Sequence, residues 1–176
     1  MQIGLSFILM WRRLSPESRG KPVQINVFMD AAHATDLVTR RSVMGILIYI
    51  IGAPIRWYSK QQNTIESSTF GLEFVAAKIA VEMVEALCYK LRMMGVPLDG
   101  PANCFCDNSS VVMNVTNPAL TLKKKHNSVA YHKVRESMAA GAVRIAFEPG
   151  KTNMADMLMK ILPAWKLKEC VKCCLF

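Results

Sequence analysis

The sequence predicts an α/β domain on a five-stranded mixed sheet, three antiparallel strands followed by parallel additions, with helices on both faces. Three observations carry this. Apolar runs and stretches with apolar residues at spacings of three and four alternate in the order βββαβααβα. A helix after a three-strand meander, then a strand that must rejoin the sheet, makes that sheet mixed and puts helices on its faces. Four carboxylates, Asp30, Glu73, Asp107 and Asp156, stand near junctions between strands and helices.

The first strand is expected over about Val23 to Asp30, from the apolar run Val23-Gln24-Ile25-Asn26-Val27-Phe28-Met29. Two more run from Gly45 to Ile51 and from Ile55 to Ser59, joined by a Gly52-Ala53-Pro54 turn. The longest helical pattern follows, with Leu72, Val75, Ala76, Ile79, Met83, Ala86, Leu87, Leu91 and Met94 on one stripe and Gly95 and Pro97 as its stop. Glu73 falls beside that stripe near the helix start, where its carboxylate can reach the sheet edge. A fourth strand over about Ala102 to Cys106 feeds Asp107 and a helix that ends before Pro118. The next helix runs from about His126 to Ala140 and stops at Gly141. A fifth strand covers Val143 to Phe147. The turn Glu148-Pro149-Gly150 then leads to a short helix with Asp156.

At 176 residues and 52% hydrophobic content, the chain has enough apolar material for one core, which excludes a disordered polymer. The expected division is 1–22 as a connecting segment, 23–163 as the domain and 164–176 as a cysteine-containing tail. The net charge is +9, from 22 Lys+Arg against 13 Asp+Glu, and favours contact with polyanions. Residues 1–11 are apolar but too short to span a bilayer, and the basic pair Arg12-Arg13 follows the run instead of preceding it, so no membrane contact is expected. Six cysteines fall short of a disulfide framework. Cys104 and Cys106 alternate on one strand and should share a face. Cys170, Cys173 and Cys174 lack the fourth ligand of a zinc site and read as reduced thiols.

A lone Asp at a strand end is usually a turn residue or helix cap, and a lone Glu in a first helical turn usually complements the dipole. The four acids gain meaning from their joint placement. Acids gathered at the strand ends of one sheet repel one another and can hold two hard divalent cations. Two such cations can clamp the attacking and leaving oxygens of a phosphodiester.

The surrounding motifs are Phe28-Met29-Asp30-Ala31-Ala32-His33-Ala34, Thr39-Arg40-Arg41-Ser42, Gly45-Ile46-Leu47-Ile48-Tyr49 and Pro54-Ile55-Arg56-Trp57-Tyr58-Ser59-Lys60-Gln61-Gln62. They continue in Glu66-Ser67-Ser68-Thr69, Glu73-Phe74-Val75-Ala76-Ala77, Phe105-Cys106-Asp107-Asn108, Lys124-Lys125-His126, Tyr131-His132 and Ala155-Asp156-Met157-Leu158-Met159-Lys160. In this order, from about Arg19 to about Pro163, the chain resembles the RNase H domain at the C-terminal end of the Pol polyprotein of copia-type LTR retrotransposons. It departs from the family at Ala32, where a second Asp is frequent, at Met159, where Thr is usual, and at Leu72, where a small polar residue is usual. Residues 1–22 then read as a remnant of the connection to an upstream reverse transcriptase domain.

The resemblance implies an RNase H-like fold and endonucleolytic hydrolysis of the RNA strand of RNA/DNA hybrids by a two-metal mechanism. The cofactor implied is Mg2+, two ions, with Mn2+ as its substitute. Asp30 would be shared by both ions, with Glu73 and Asp107 completing one shell and Asp156 the other. A cytoplasmic location is implied, within a virus-like particle for an intact element. The alternative reading is a catalytically inactive or relic nucleic-acid-binding fragment of the same polyprotein, which the variant motifs favour and the intact set of four acids disfavours. A resolvase or integrase core on the same fold would carry fewer acids in another order.

Reading a hybrid requires contacts to the RNA 2′-hydroxyls and to phosphates. The expected contacts are Asn108, Ser109 and Ser68 for the former, with helix capping as their competing role, and Lys123, Lys124, Lys125 and His126 for the latter. The loop Glu148-Pro149-Gly150-Lys151-Thr152 has no histidine. Of Trp57 and Tyr58, adjacent on a strand, one should pack in the core and the other should be exposed.

Overall fold

The computed structural model describes residues 20–33, 41–62, 69–120 and 127–174, the side chain of Cys173 excepted. Strands β1 (Ile25–Ala32), β2 (Val43–Ile50), β3 (Ala53–Gln61), β4 (Ala102–Cys106) and β5 (Val143–Phe147) form one sheet in the order β3-β2-β1-β4-β5. β1–β2 and β2–β3 pair antiparallel, while β1–β4 and β4–β5 pair parallel. Among the described residues the helices are α1 (Thr69–Met93), α2 (Ser109–Thr116), α3 (Ser128–Ala139), a 3-10 helix (Met154–Leu158) and α4 (Ala164–Cys174). The order βββαβααβα is therefore the observed one, extended by α4 within the segment expected only as a tail. None of the described helices is long and apolar enough to cross a membrane.

Each face of the sheet has its own core, which explains why all eight residues of the central strand β1 are buried. On one face, Val27 and Met29 of β1, Ile46 and Ile48 of β2 and Cys104 and Cys106 of β4 pack under Phe74, Ala77, Val81 and Val84 of α1 and Val134 of α3. On the other, Phe28, Leu47, Tyr49 and Phe105 pack under Ala155 of the 3-10 helix. Phe28 stacks on Phe105 and meets Tyr49 edge-on. Cys104 and Cys106 share the α1 face, as their alternation requires. Tyr58 packs inward while Trp57 is 69% exposed.

The ends of the elements follow their chemistry. α1 closes with the Gly95 N–H on the Arg92 carbonyl and the Val96 N–H on the Leu91 carbonyl, with Gly95 at φ 72°. Only a residue without Cβ takes that left-handed position at no cost, which is why Gly95 marks the stop. The β2–β3 turn differs from the expected Gly52-Ala53-Pro54. The turn residues are Ile51 (φ 48°) and Gly52 (φ 79°), and Ala53 already pairs with Ile50. Two successive left-handed residues match the right-handed twist of a tight hairpin. Ile51 is held there by packing against the core and by its N–H on the Gln24 carbonyl. Pro54 is tolerated within β3 because β3 is an edge strand with a register shift opposite Ile48 and Tyr49.

One close approach ties the fold to the acids. Gly45 of β2 lies opposite Asp30 in the register. A Cβ at Gly45 would stand 2.9 Å from the Ala155 carbonyl oxygen and from Met159 Cγ, and 3.1 Å from Leu158 Cβ. The 3-10 helix that carries Asp156 therefore rests on the bare backbone of Gly45. Gly45→Ala should push that helix off the sheet and cost about 1–3 kcal/mol, as overpacking does. The expected readout is a fall of about 2–12 °C in the metal-free Tm; an unchanged Tm would mean that the helix does not depend on this contact.

Candidate active site

Asp30 and Asp107 reach the same sheet edge through strand register. Met29 of β1 pairs with Cys106 of β4 in parallel, so the next residue along each strand is an acid at its carboxyl end. Glu73 comes from above, in the second turn of α1, where the packing of Leu72, Phe74 and Ala76 turns it toward the strand ends. Asp156 comes from below, on the 3-10 helix. Asn153 caps that helix, its Oδ1 accepting from the Ala155 N–H at 3.1 Å, and its Nδ2 donates to the Met29 carbonyl at 3.1 Å. A single buried amide thus locks the turn carrying Asp156 to the strand carrying Asp30.

All four acids expected to act together are brought together. Asp30, Glu73 and Asp156 are 2%, 5% and 6% exposed, and Asp107 is half-buried. Asp30 is the centre, in direct interaction with Glu73, Asp107 and Asp156. Its Oδ1 accepts from the Ala31 N–H at 2.7 Å. Gly150, on the loop after β5, packs on Asp107, where a Cβ would stand 3.1 Å from Oδ2.

Two lysines complete the cluster. Lys160 Nζ donates to Asp30 Oδ2 at 3.0 Å and to Asp156 Oδ1 at 2.5 Å. Lys166 Nζ, from α4, donates to Asp156 Oδ2 at 2.8 Å and to the Gly150 carbonyl at 3.4 Å. In sequence Lys160 closes the motif Ala155-Asp156-Met157-Leu158-Met159-Lys160 with no role of its own, and nothing there singles out Lys166 or Asn153. Lys160 is four residues after Asp156, a spacing that brings side chains together on a helix. Lys166 reaches Asp156 across 10 residues and the Asn153–Met29 bond spans 124, separations at which no helical or strand period signals a pairing.

The electrostatics divide the site. Burial, then the charge of Asp107 and the bond to Asp156, raise Asp30 to about 6 against the opposing pull of Lys160. Burial, then the charges of Asp30 and Asp107, raise Glu73 to about 9. Asp107 is raised too, by burial first. Burial would also raise Asp156, but the ammonium groups of Lys160 and Lys166 outweigh it and hold Asp156 below its usual value. Both lysines bond Asp156 and Lys160 also reaches Asp30, so among the described residues the Glu73–Asp107 side has the less compensating positive charge.

The donor set at the sheet edge is rich in carboxylate oxygen, with one thiol among it. Among the described residues, Glu73, Cys106 and Asp107 place one ligand-bearing atom each within 4.8 Å of one another. Carboxylate oxygens suit Mg2+ or Mn2+. The Cys106 thiol is a soft group; burial, then the charge of Glu73, push its pKa well above its usual value, so it stays protonated, 3.8 Å from Glu73 Oε2. The oxygens of Glu73 and Asp107, with Asp30 beside them, fit a hard cation. Between Asp30 and Asp156 the cation in place is the Lys160 ammonium.

The expected nucleic-acid contacts fare unequally. Asn108 takes the competing role of cap, its Oδ1 accepting from the Ser110 and Val111 N–H groups at 3.0 and 3.3 Å. Ser109 is exposed in the first turn of α2, one residue beyond Asn108. Ser68, Lys123, Lys124, Lys125 and His126 lie outside the described residues. The run's N-terminal flank is fastened to α3: Tyr131 donates to the Leu120 carbonyl at 2.6 Å, and Arg135 donates to the Leu120 and Pro118 carbonyls.

No protein-family profile matches the chain. It is 27% identical over 144 residues to the retrovirus-related Pol polyprotein from transposon RE2 of Arabidopsis thaliana, a match covering 82% of this chain and 10% of that protein. The chain thus spans about a tenth of the length of the curated relative it matches. Among solved structures it is similar to LC11-RNase H1 in complex with an RNA/DNA hybrid, with a TM-score of 0.60 at 16% identity, covering 77% of this chain and 94% of that one. It is also similar to the foamy viral protease-reverse transcriptase in complex with an RNA/DNA hybrid, with a TM-score of 0.56 at 15% identity, covering 77% of this chain and 19% of that one. The five-stranded mixed sheet is the RNase H fold, and the resemblance to retrotransposon Pol polyproteins holds in sequence.

The raised acids give a pH dependence with a definite sign. Asp30 and Glu73 bind protons more tightly in the folded state than at their ordinary values of 3.8 and 4.5. Their contribution to stability is full below those values and is lost as pH rises through about 6 for Asp30 and about 9 for Glu73. The metal-free Tm should therefore fall between about pH 4 and pH 9, and saturating Mg2+ should flatten the slope. Asp30→Asn should leave the metal-free Tm unchanged or raise it at pH 7 and above, since repulsion and burial outweigh the lost Lys160 bond. A metal-free Tm that climbs across this window would contradict the charge arrangement.

Proposed function

We propose that this chain is a retrotransposon-type RNase H that hydrolyses the RNA strand of RNA/DNA hybrids. The single observation that carries the reading is the convergence of Asp30, Glu73, Asp107 and Asp156 at one sheet edge, with the burial and raised pKa values of Asp30 and Glu73 described above. Buried carboxylates of like charge are costly unless cations compensate them. The relatives support the substrate: the structures similar to this chain include two in complex with RNA/DNA hybrids.

In this reading Glu73, Asp107 and Asp30 would hold one Mg2+, and Asp30 and Asp156 would hold a second. When bound, the ions supply activation of the attacking water and charge stabilisation at the leaving oxygen. The protein supplies position. Asn153 and Gly45 set the 3-10 helix against β1 and β2, so that Asp156 faces Asp30. Lys160 balances the pair Asp30 and Asp156 in the absence of a cation. The basic run Lys123-Lys124-Lys125 with His126, and Ser109 and Asn108 near Asp107, are the proposed hybrid contacts. Asn108 has its amide nitrogen to offer, since its oxygen caps α2. The upstream reverse transcriptase domain is the proposed partner in an intact polyprotein, and the cytoplasm, within a virus-like particle, the proposed location.

The test is cleavage of a labelled RNA strand in an RNA/DNA hybrid. With Mg2+ the wild-type chain should cut, and EDTA should abolish cutting. Asp30→Asn and Asp107→Asn should each lower the rate by orders of magnitude, each factor of ten being about 1.4 kcal/mol of transition-state stabilisation. Cleavage that survives chelation would remove the mechanism. Hybrid binding without cleavage by the wild-type chain would favour the relic reading.

A further inference from the structure

We propose that Lys166 is a positioning residue for Asp156, which makes the C-terminal helix α4 part of the active site; this rests on the functional reading above. The two oxygens of Asp156 are bonded by different lysines. Oδ1 faces Lys160, which also bonds Asp30 Oδ2, and Oδ2 faces Lys166. The two ammonium groups are held differently. The Lys160 side chain is 43% exposed, and its bonds among the described residues are to carboxylates that a cation would claim. It can swing into solvent when Oδ1 takes a cation. The Lys166 side chain is 18% exposed and has a second acceptor, the Gly150 carbonyl, which no cation displaces.

The backbone that carries Lys166 is fastened as well. At the far end of α4, Cys170 is buried, and Cys174 Sγ lies 3.4 Å from the hydroxyl of Tyr49, within the core beneath the 3-10 helix. Lys166 therefore keeps Oδ2 occupied and leaves Oδ1 directed at Asp30. Its bond to Gly150 adds a link to Asp107, on which Gly150 packs. One ammonium group thus joins the turn carrying Asp156 to the loop that supports Asp107. Partners that orient a metal-binding group through its far atom set its geometry, and losing one costs about 10–100-fold in metal affinity or activity.

The experiment titrates Mg2+ and Mn2+ calorimetrically into the full chain as wild type, Lys166→Met, Lys166→Arg and Lys160→Met. Metal-free Tm, and kcat and KM for hybrid cleavage, are measured on the same samples. Lys166→Met should weaken cation binding about tenfold and lower kcat while KM for the hybrid holds, and Lys166→Arg should restore most of both. Lys160→Met should instead tighten cation binding, because a competitor for Oδ1 is gone. If Lys166→Met does not fold, Lys166→Gln, which keeps a donor for Gly150 but no charge, carries the same expectation of weaker binding. Unchanged cation affinity and kcat with only a lower Tm would reduce Lys166 to a structural contact and overturn the inference. Tighter binding would make it a competitor and overturn it equally. A wild-type chain that binds neither cation would overturn the functional reading itself, and this inference with it.

Discussion

Four carboxylates drawn to one sheet edge and taken out of water repel one another, and the surrounding structure is arranged around that repulsion. Among the described residues two ammonium groups face them: Lys160 bridges Asp30 and Asp156, and Lys166 bonds Asp156. Four acids against two lysines leave negative charge uncompensated, and the raised pKa values of Asp30 and Glu73 express that deficit. A site that prefers protons at neutral pH without metal is one that gains stability from a divalent cation, since binding only to the folded state is folding free energy. The fold tolerates this because both cores lie behind the acids: α1 on one face, the 3-10 helix with Tyr49 and Phe105 on the other.

The rigidity of the site comes from contacts that cross the sheet. Gly45 admits the 3-10 helix, Asn153 bonds it to β1, and Lys166 ties it to the loop beside Asp107. Gly45 contributes bare backbone, Asn153 a side-chain amide that both donates and accepts, and Lys166 an ammonium group. Rigid elements supported by such second contacts hold functional groups more accurately than free loops do.

Much of this was legible in the sequence, for physical reasons. The bounds of β4 and β5 follow from short apolar runs between strong turn residues, and the end of α1 from Gly95. The four acids were legible because strand ends and helix starts are the positions that converge in a layered α/β fold. The hairpin turn was less so, because a β-branched residue in the left-handed region, Ile51, is held there by tertiary packing that no local pattern reports. Pro54 suggested a turn because proline is rare within strands, yet an edge strand accepts it. α4 does carry apolar residues at helical spacing, Leu167, Cys170, Val171 and Cys174, but its cysteines read first as tail thiols, and Lys166 reads in sequence as one of many surface lysines. Asn108 had two roles open to it, and its oxygen took the cap.

The most direct measurement is anomalous diffraction from crystals of the chain grown with Mn2+ and an uncleavable RNA/DNA hybrid. The expected result is Mn2+ coordinated by Asp30, Glu73 and Asp107, with Asp156 bound through one oxygen, Lys166 retained on the other, and Lys160 displaced. Crystals holding the hybrid but no Mn2+ at the four acids, with Lys160 still bridging Asp30 and Asp156, would contradict it.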